Sequence, residues 1–107
     1  MPEAVVVSAV RTPIGRANKG ALRVVRADDL AAVAIRGAVG RVANFDPSLI
    51  EDVILGCAFP EGEQGMNLAR IVTGLAGLPV TAGGTTVNRF CASSLQAFNF
   101  AAQGLLL

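Results

Sequence analysis

Two short apolar runs and a third, shorter strand-like run alternate with longer segments whose apolar residues return at helical spacing, and this alternation narrows the fold more than any other feature. Ala4–Val10 and Val53–Phe59 are rich in β-branched residues and almost continuously apolar, as expected of strands buried on both faces. A third, shorter strand is predicted over Thr85–Asn88, after a Gly83-Gly84 pair read as flexible. Between the runs, Leu30, Ala31, Ala34, Ile35, Ala38, Val39 and Val42 predict a helix beginning near Leu30, with Asp28 or Asp29 as its cap. A second helix is expected from about Asn67 to Ala76, with Leu68, Ile71, Val72 and Leu75 as its apolar positions and Gly77 as its stop. A third runs from about Ala92 to Gln103 and buries Leu95, Phe98, Ala101 and Ala102. Strands alternating with helices in this way predict a layered α/β unit with a partly parallel sheet.

Smaller signals refine this outline. Asp46-Pro47 predicts a single turn over Pro47–Ile50. Gly37 and Gly40 sit inside the first helix, where each costs about 1 kcal/mol relative to Ala, and close packing is the expected reason for them. The apolar tail Gly104–Leu107 stands where a loop to another strand is expected, so the sheet is read as incomplete and the chain as the N-terminal portion of a longer protein.

With 107 residues, 52% of them hydrophobic, the chain can bury one core but not two, so residues 1–107 are taken as one unit. Nine basic against eight acidic residues leave a net charge of +1, which offers a polyanion nothing to bind, and no nucleic-acid partner is expected. Neither a secretory signal nor a run of about 20 apolar residues is present, and a cytoplasmic location without a membrane span is expected. Cys57 and Cys91 are read as free thiols. The chain has no histidine, hence neither the usual neutral-pH base nor the usual zinc nitrogen, and no metal site is expected. Arg16-Ala17-Asn18-Lys19-Gly20, with Arg23 and Arg26, lacks the spacing of a phosphate-binding loop and is read as solvated charge.

Chemistry concentrates in Val87-Asn88-Arg89-Phe90-Cys91-Ala92-Ser93-Ser94-Leu95. A cysteine at the first turn of a helix meets unpaired N–H groups and the positive end of the helix dipole, both of which favour the nucleophilic thiolate. The small residues after it keep the approach open, and their N–H groups, with the Ser93 and Ser94 hydroxyls, are candidate donors to an oxyanion. Two readings of Cys91 stay open on this evidence, a nucleophile and a small buried hydrophobe. Ser93 and Ser94 likewise divide between donors and ordinary first-turn residues. Cys57, inside an apolar run, reads as packing. Arg89 either raises the local potential or makes a charged contact across a surface or subunit boundary.

Five stretches together resemble the N-terminal end of the thiolases, the acetyl-CoA acetyltransferases and 3-ketoacyl-CoA thiolases. They are Val10-Arg11-Thr12-Pro13-Ile14-Gly15, Asp28-Asp29-Leu30, Glu51-Asp52-Val53-Ile54-Leu55-Gly56-Cys57, Glu63-Gln64-Gly65 with Asn67, Ala69 and Arg70, and Thr86 through Ala97. Their order and spacing cover essentially the whole chain.

The resemblance implies a thiolase-like layered fold, α/β in class, of which residues 1–107 form part of the N-terminal domain, an incomplete half with a partly parallel sheet and packed helices. It implies that Cys91 is the nucleophile that becomes acylated, with its own backbone N–H as oxyanion donor. Acyl-CoA, acetyl-CoA and CoA are then substrates, with no permanently bound cofactor, and no CoA-binding residue is assigned within the chain. It further implies a dimer or tetramer when full-length, with Gln64, Asn67, Arg70, Asn88 and Arg89 supporting the site or a subunit boundary. The family's two histidines and second cysteine lie in Gly-His-Pro and Cys-x-Gly-Gly-Gly motifs, which these residues lack, so the 107-residue chain alone is expected to be inactive. A ketoacyl synthase relative is the alternative within the superfamily, disfavoured by Asn88-Arg89-Phe90-Cys91 and the Arg11–Gly15 loop. A non-catalytic truncated or acyl-CoA-binding chain is the alternative from another class.

Overall fold

Val53, Ile54 and Leu55 form the middle of β1 (Asp52–Gly56), which pairs in parallel with β2 (Gly83–Val87). The register runs from Asp52 opposite Gly83 to Gly56 opposite Val87. Two further backbone bonds close its ends, from Gly83 N–H to Glu51 O (2.8 Å) and from Cys57 N–H to Val87 O (2.9 Å). Parallel strands need a crossover between them. Here it contains α2 (Leu68–Leu75), with α1 (Ala27–Gly40) before β1 and α3 (Ser93–Leu106) after β2. A computed structural model describes these elements over residues 2–107.

Side chains alternate between the faces of a strand, which places the helices. Gly84 abuts α2, whereas Gly56 abuts α3. Gly84 pairs with Val53, three residues from Gly56, so the two glycines point to opposite faces of the sheet. α2 covers one face and is backed by α1; α3 covers the other. The core lies in the first of these layers: Ala32, Cys57, Leu68, Val72 and Ala76 are buried, with Ala31, Ile35, Leu55 and Leu78 packed against them. Small side chains predominate, so the layers sit close.

Several expectations need correction. Ala4–Val10 is not a strand: it forms no regular element, and Val5, Val6 and Val7 are all exposed. Its β-branched composition supplies propensity, but among the described residues the one strand pairing is β1 with β2, and propensity without a ladder partner does not make a strand. The first helix starts at Ala27, and neither Asp28 nor Asp29 caps it. Asp28 instead takes both Nε (3.0 Å) and Nη2 (2.9 Å) of Arg26 and the N–H of Asp29 (2.8 Å). The orphan N–H of Ala27 donates to Glu63 Oε1 (2.8 Å), a carboxylate brought in from the loop before α2.

Close packing does not explain the α1 glycines, because a Cβ on Gly40 would meet nothing within 4 Å and one on Gly37 only Val10 Cγ2 at 3.9 Å. The strand glycines are the ones that need to be glycine. A Cβ on Gly84 would stand 2.6 Å from Arg70 N, and one on Gly56 would strike the backbone of Ser93 and Ser94. Gly83 and Gly84, read as a flexible pair, are therefore part of β2.

α2 is placed as expected, and Gly77 follows it with φ +74°. Its buried residues are Leu68, Ala69, Val72 and Thr73, while Ile71 and Leu75 are partly exposed. α3 departs further: Ser93 and Ala97 are its buried residues, whereas Leu95, Phe98 and Ala101 are exposed and Ala102 half-buried. The short contacts at Gly56 explain this, since only small side chains fit where α3 meets β1. α3 also continues through Leu106, so the tail read as a loop is helical. Asp46 does cap the 3-10 turn Pro47–Leu49, its carboxylate accepting from Ser48 N–H (3.0 Å).

Candidate active site

At the end of β2 the chain turns sharply into α3, and the turn is built by side chains that hold the backbone. Asn88 Oδ1 accepts from Phe90 N–H at 2.8 Å. Ser93 Oγ accepts from Arg89 N–H at 2.9 Å and donates to Phe90 O at 2.6 Å. Phe90 lies between these contacts with φ +49°, a left-handed conformation that is an outlier for a bulky residue. A 3-10 turn over Phe90–Ala92 follows and runs into α3.

Cys91 occupies the middle of that turn and is exposed, so packing does not account for it. The turn is closed by Ala92 N–H to Arg89 O (3.0 Å) and by Ser93 N–H to Phe90 O. Neither bond uses the N–H of Cys91. The site thus presents a thiol and a backbone donor on one residue, at the mouth of a 14-residue helix. Cys57, by contrast, is 6% exposed and belongs to the core.

The hydroxyls proposed as oxyanion donors separate here. Ser93 is 3% exposed, and its single O–H is committed to Phe90 O, so it serves the turn. Ser94 is exposed.

Gln64, Asn67, Arg70 and Asn88 all make hydrogen bonds within the chain. Gln64 Nε2 donates to Phe59 O (2.9 Å) and fastens its own loop. Asn67 bridges to β2, its Nδ2 donating to Gly84 O (2.8 Å) and its Oδ1 accepting from Thr86 Oγ1 (2.7 Å). Thr86 Oγ1 also accepts from Ala69 N–H (3.0 Å), so this small network satisfies one of the free donors at the start of α2. Arg70 donates to Ala82 O and Val80 O, holding the segment that leads into β2. Arg89 is exposed, and the ion pair among the described residues is Arg26 with Asp28. Sequence reasoning gave no site role to Gly56, and it named Ser93 as a donor or first-turn residue without the bonds by which it holds the turn. A glycine inside an apolar strand signals close backbone approach, and that signal was present at Gly56.

Among the described residues, no group of His, Cys, Asp and Glu side chains is placed to hold a metal, and no helix is long and apolar enough to cross a membrane. A groove of about 920 Å³ runs between β1, α3 and Val7, lined chiefly by apolar residues such as Ile54, Ala97, Phe98 and Leu105.

Residues 4–107 match the family profile described as the thiolase N-terminal domain. Over 107 residues the chain is 49% identical to a 3-ketoacyl-CoA thiolase of Bacillus subtilis (strain 168), covering all of this chain and 27% of the relative. Over 105 residues it is 51% identical to a 3-oxoadipyl-CoA/3-oxo-5,6-dehydrosuberyl-CoA thiolase of Escherichia coli (strain K12), covering 98% of this chain and 26% of the relative. Its backbone superposes on an acetyl-CoA acetyltransferase from Syntrophomonas wolfei with a TM-score of 0.83 at 40% identity, over 97% of this chain and 25% of that one. The chain spans about a quarter of the length of these relatives.

Proposed function

The chain belongs to the thiolase family through its N-terminal domain, and from that premise we propose that the protein carrying it is an acyltransferase that forms or cleaves 3-ketoacyl-CoA through a thioester on Cys91. The observation that carries this reading is the exposed thiol of Cys91 beside its own uncommitted N–H, at the turn from β2 into α3. The relatives named as 3-ketoacyl-CoA thiolase and acetyl-CoA acetyltransferase support the substrate class.

In the cleaving direction, the Cys91 sulfur attacks the 3-keto carbonyl of the substrate. The Cys91 N–H donates to the oxyanion that develops there, where a fixed donor has its largest effect. Collapse breaks the bond between the α and β carbons, leaving the acyl group on sulfur, and the departing carbanion takes up a proton to become acetyl-CoA. CoA thiol then attacks the thioester, receives the acyl group and returns the Cys91 thiol. Two moderate steps replace one difficult exchange. In the reverse direction Cys91 takes acetyl from acetyl-CoA and passes it to the carbanion of a second. Neither direction needs a permanently bound cofactor.

Gln64, Asn67, Arg70, Asn88 and Arg89 belong to this reading as supporting residues. Asn88 holds the turn that carries Cys91, while Gln64 fastens the loop after β1, Asn67 ties the start of α2 to β2, and Arg70 holds the segment leading into β2; the exposed Arg89 guanidinium is the group available to a neighbouring surface or subunit. A homo-oligomer in the cytoplasm completes the proposal.

Incubation of the full-length protein with acetyl-CoA, followed by intact mass and peptide mapping, tests the assignment. An acetyl adduct on Cys91 is expected, and Cys91→Ser abolishes the acid-stable thioester while CoA binding persists. An adduct on another residue, or one that survives Cys91→Ser, overturns it.

A further inference from the structure

We infer that Asn88 and Ser93 are positioning residues whose shared task is to hold Phe90 in its left-handed conformation, so that Cys91 presents both thiol and N–H to one reacting carbonyl. This rests on the reading of Cys91 as the nucleophile. Phe90 has φ +49° and is 67% exposed, so burial of its ring does not offset the strain of that backbone. What surrounds it instead is polar. Its N–H is held by Asn88 Oδ1, and its carbonyl is held by the Ser93 hydroxyl and the Ser93 N–H. The same hydroxyl takes the N–H of Arg89, so one buried oxygen ties the Asn88–Arg89 peptide unit to the Phe90–Cys91 unit and brackets Phe90 from both ends of the turn. None of these bonds ends on Cys91, although three of them reach across it, and its N–H has no partner among the described residues.

The alternative is a purely structural role, in which the buried Ser93 hydroxyl only completes the packing of α3 on β1. The two differ in what a glycine at position 90 does. Glycine reaches positive φ about as readily as negative φ, so it makes the holding contacts dispensable for the turn but repairs no packing defect.

The experiment times adduct formation at Cys91 by mass spectrometry in the full-length protein, with acetyl-CoA and separately with iodoacetamide. Asn88→Ala and Ser93→Ala are each expected to slow acetylation about tenfold, the loss that goes with an unsupported left-handed residue. Adding Phe90→Gly to either variant restores most of the rate. Asn88 is exposed, so Asn88→Ala keeps the fold and decides the matter by itself if Ser93→Ala does not fold. Acetylation at the parental rate in Asn88→Ala, or a slowing that Phe90→Gly leaves in place, overturns the inference. Failure of the nucleophile assignment has a different signature: the parent protein takes no acetyl on Cys91. Iodoacetamide then reads the turn alone, with the same slowing and the same rescue required.

Discussion

α2 and α3 flank the same two strands and use them differently. α2 has eight residues and buries Leu68, Ala69, Val72 and Thr73 between the sheet and α1. α3 has 14 residues and buries only Ser93 and Ala97, both small, against β1. One helix is clamped on two sides by this chain, while the other touches it along a narrow stripe and leaves Leu95, Phe98 and Leu105 exposed. A narrow stripe suffices to aim the first turn of a helix, which is all that Cys91 requires of α3. On the proposed reading of Cys91, stability and chemistry therefore draw on different helices.

The largest expected effects compare the two glycines that admit these helices. Gly84→Ala pushes a Cβ to 2.6 Å from Arg70 N, and α2 cannot retreat because α1 lies behind it. A loss of about 3 kcal/mol, at the upper end for overpacking, is expected from urea denaturation. Gly56→Ala drives a Cβ equally hard into Ser93 and Ser94, but α3 has an open far side and can shift outward. Its expected cost is smaller, about 1 kcal/mol, while the turn that carries Cys91 moves with the helix. Equal losses for the two would show that α3 is held as firmly as α2.

How much of this was legible beforehand follows the same division. β1, α2 and most of β2 were placed from sequence because their partners are within the chain: a continuous apolar run marks β1, a periodic apolar face marks α2, and a short β-branched run marks β2 from Thr85 on. α3 carries its large apolar residues on the side that periodicity selects, Leu95 and Phe98, but its buried side is set by backbone proximity at Gly56, a tertiary fact that admits only Ser93 and Ala97. Ala4–Val10 carries strand composition without a strand beside it. The Cys91 junction was legible from its small residues and its place between strand and helix. The hydrogen bonds that hold Phe90 were not, because a left-handed phenylalanine has no signature of its own.

A pH dependence tests the clamp on α2 from its far side, where α1 begins. Hydrogen bonding from Arg26 is the main reason the Asp28 carboxyl is held below its ordinary value, helped by the N–H of Asp29 and opposed by desolvation. A carboxyl depressed in the folded state contributes stability above its unfolded value, near 4, and that contribution is lost as pH falls through the lower, folded value. Asp28→Asn is therefore expected to lower the thermal midpoint at pH 7. The gap to the parent should close as pH drops below the ordinary carboxylate range, and a gap independent of pH would mean that the carboxylate charge plays no part.

The smallest effect belongs to the open face of α3. Leu95 is 69% exposed, so Leu95→Gln in residues 1–107 exchanges one solvated side chain for another, and a change within about 0.5 kcal/mol is expected. Val72→Ala provides the contrast on α2, where Val72 is 0% exposed in the core and loss of its two methyl groups costs about 2 kcal/mol or more in the same chain. Urea denaturation of both variants measures the asymmetry directly. If Leu95→Gln costs as much as Val72→Ala, the face drawn as open is already covered in solution, and α3 is as much a part of the stabilising core as α2.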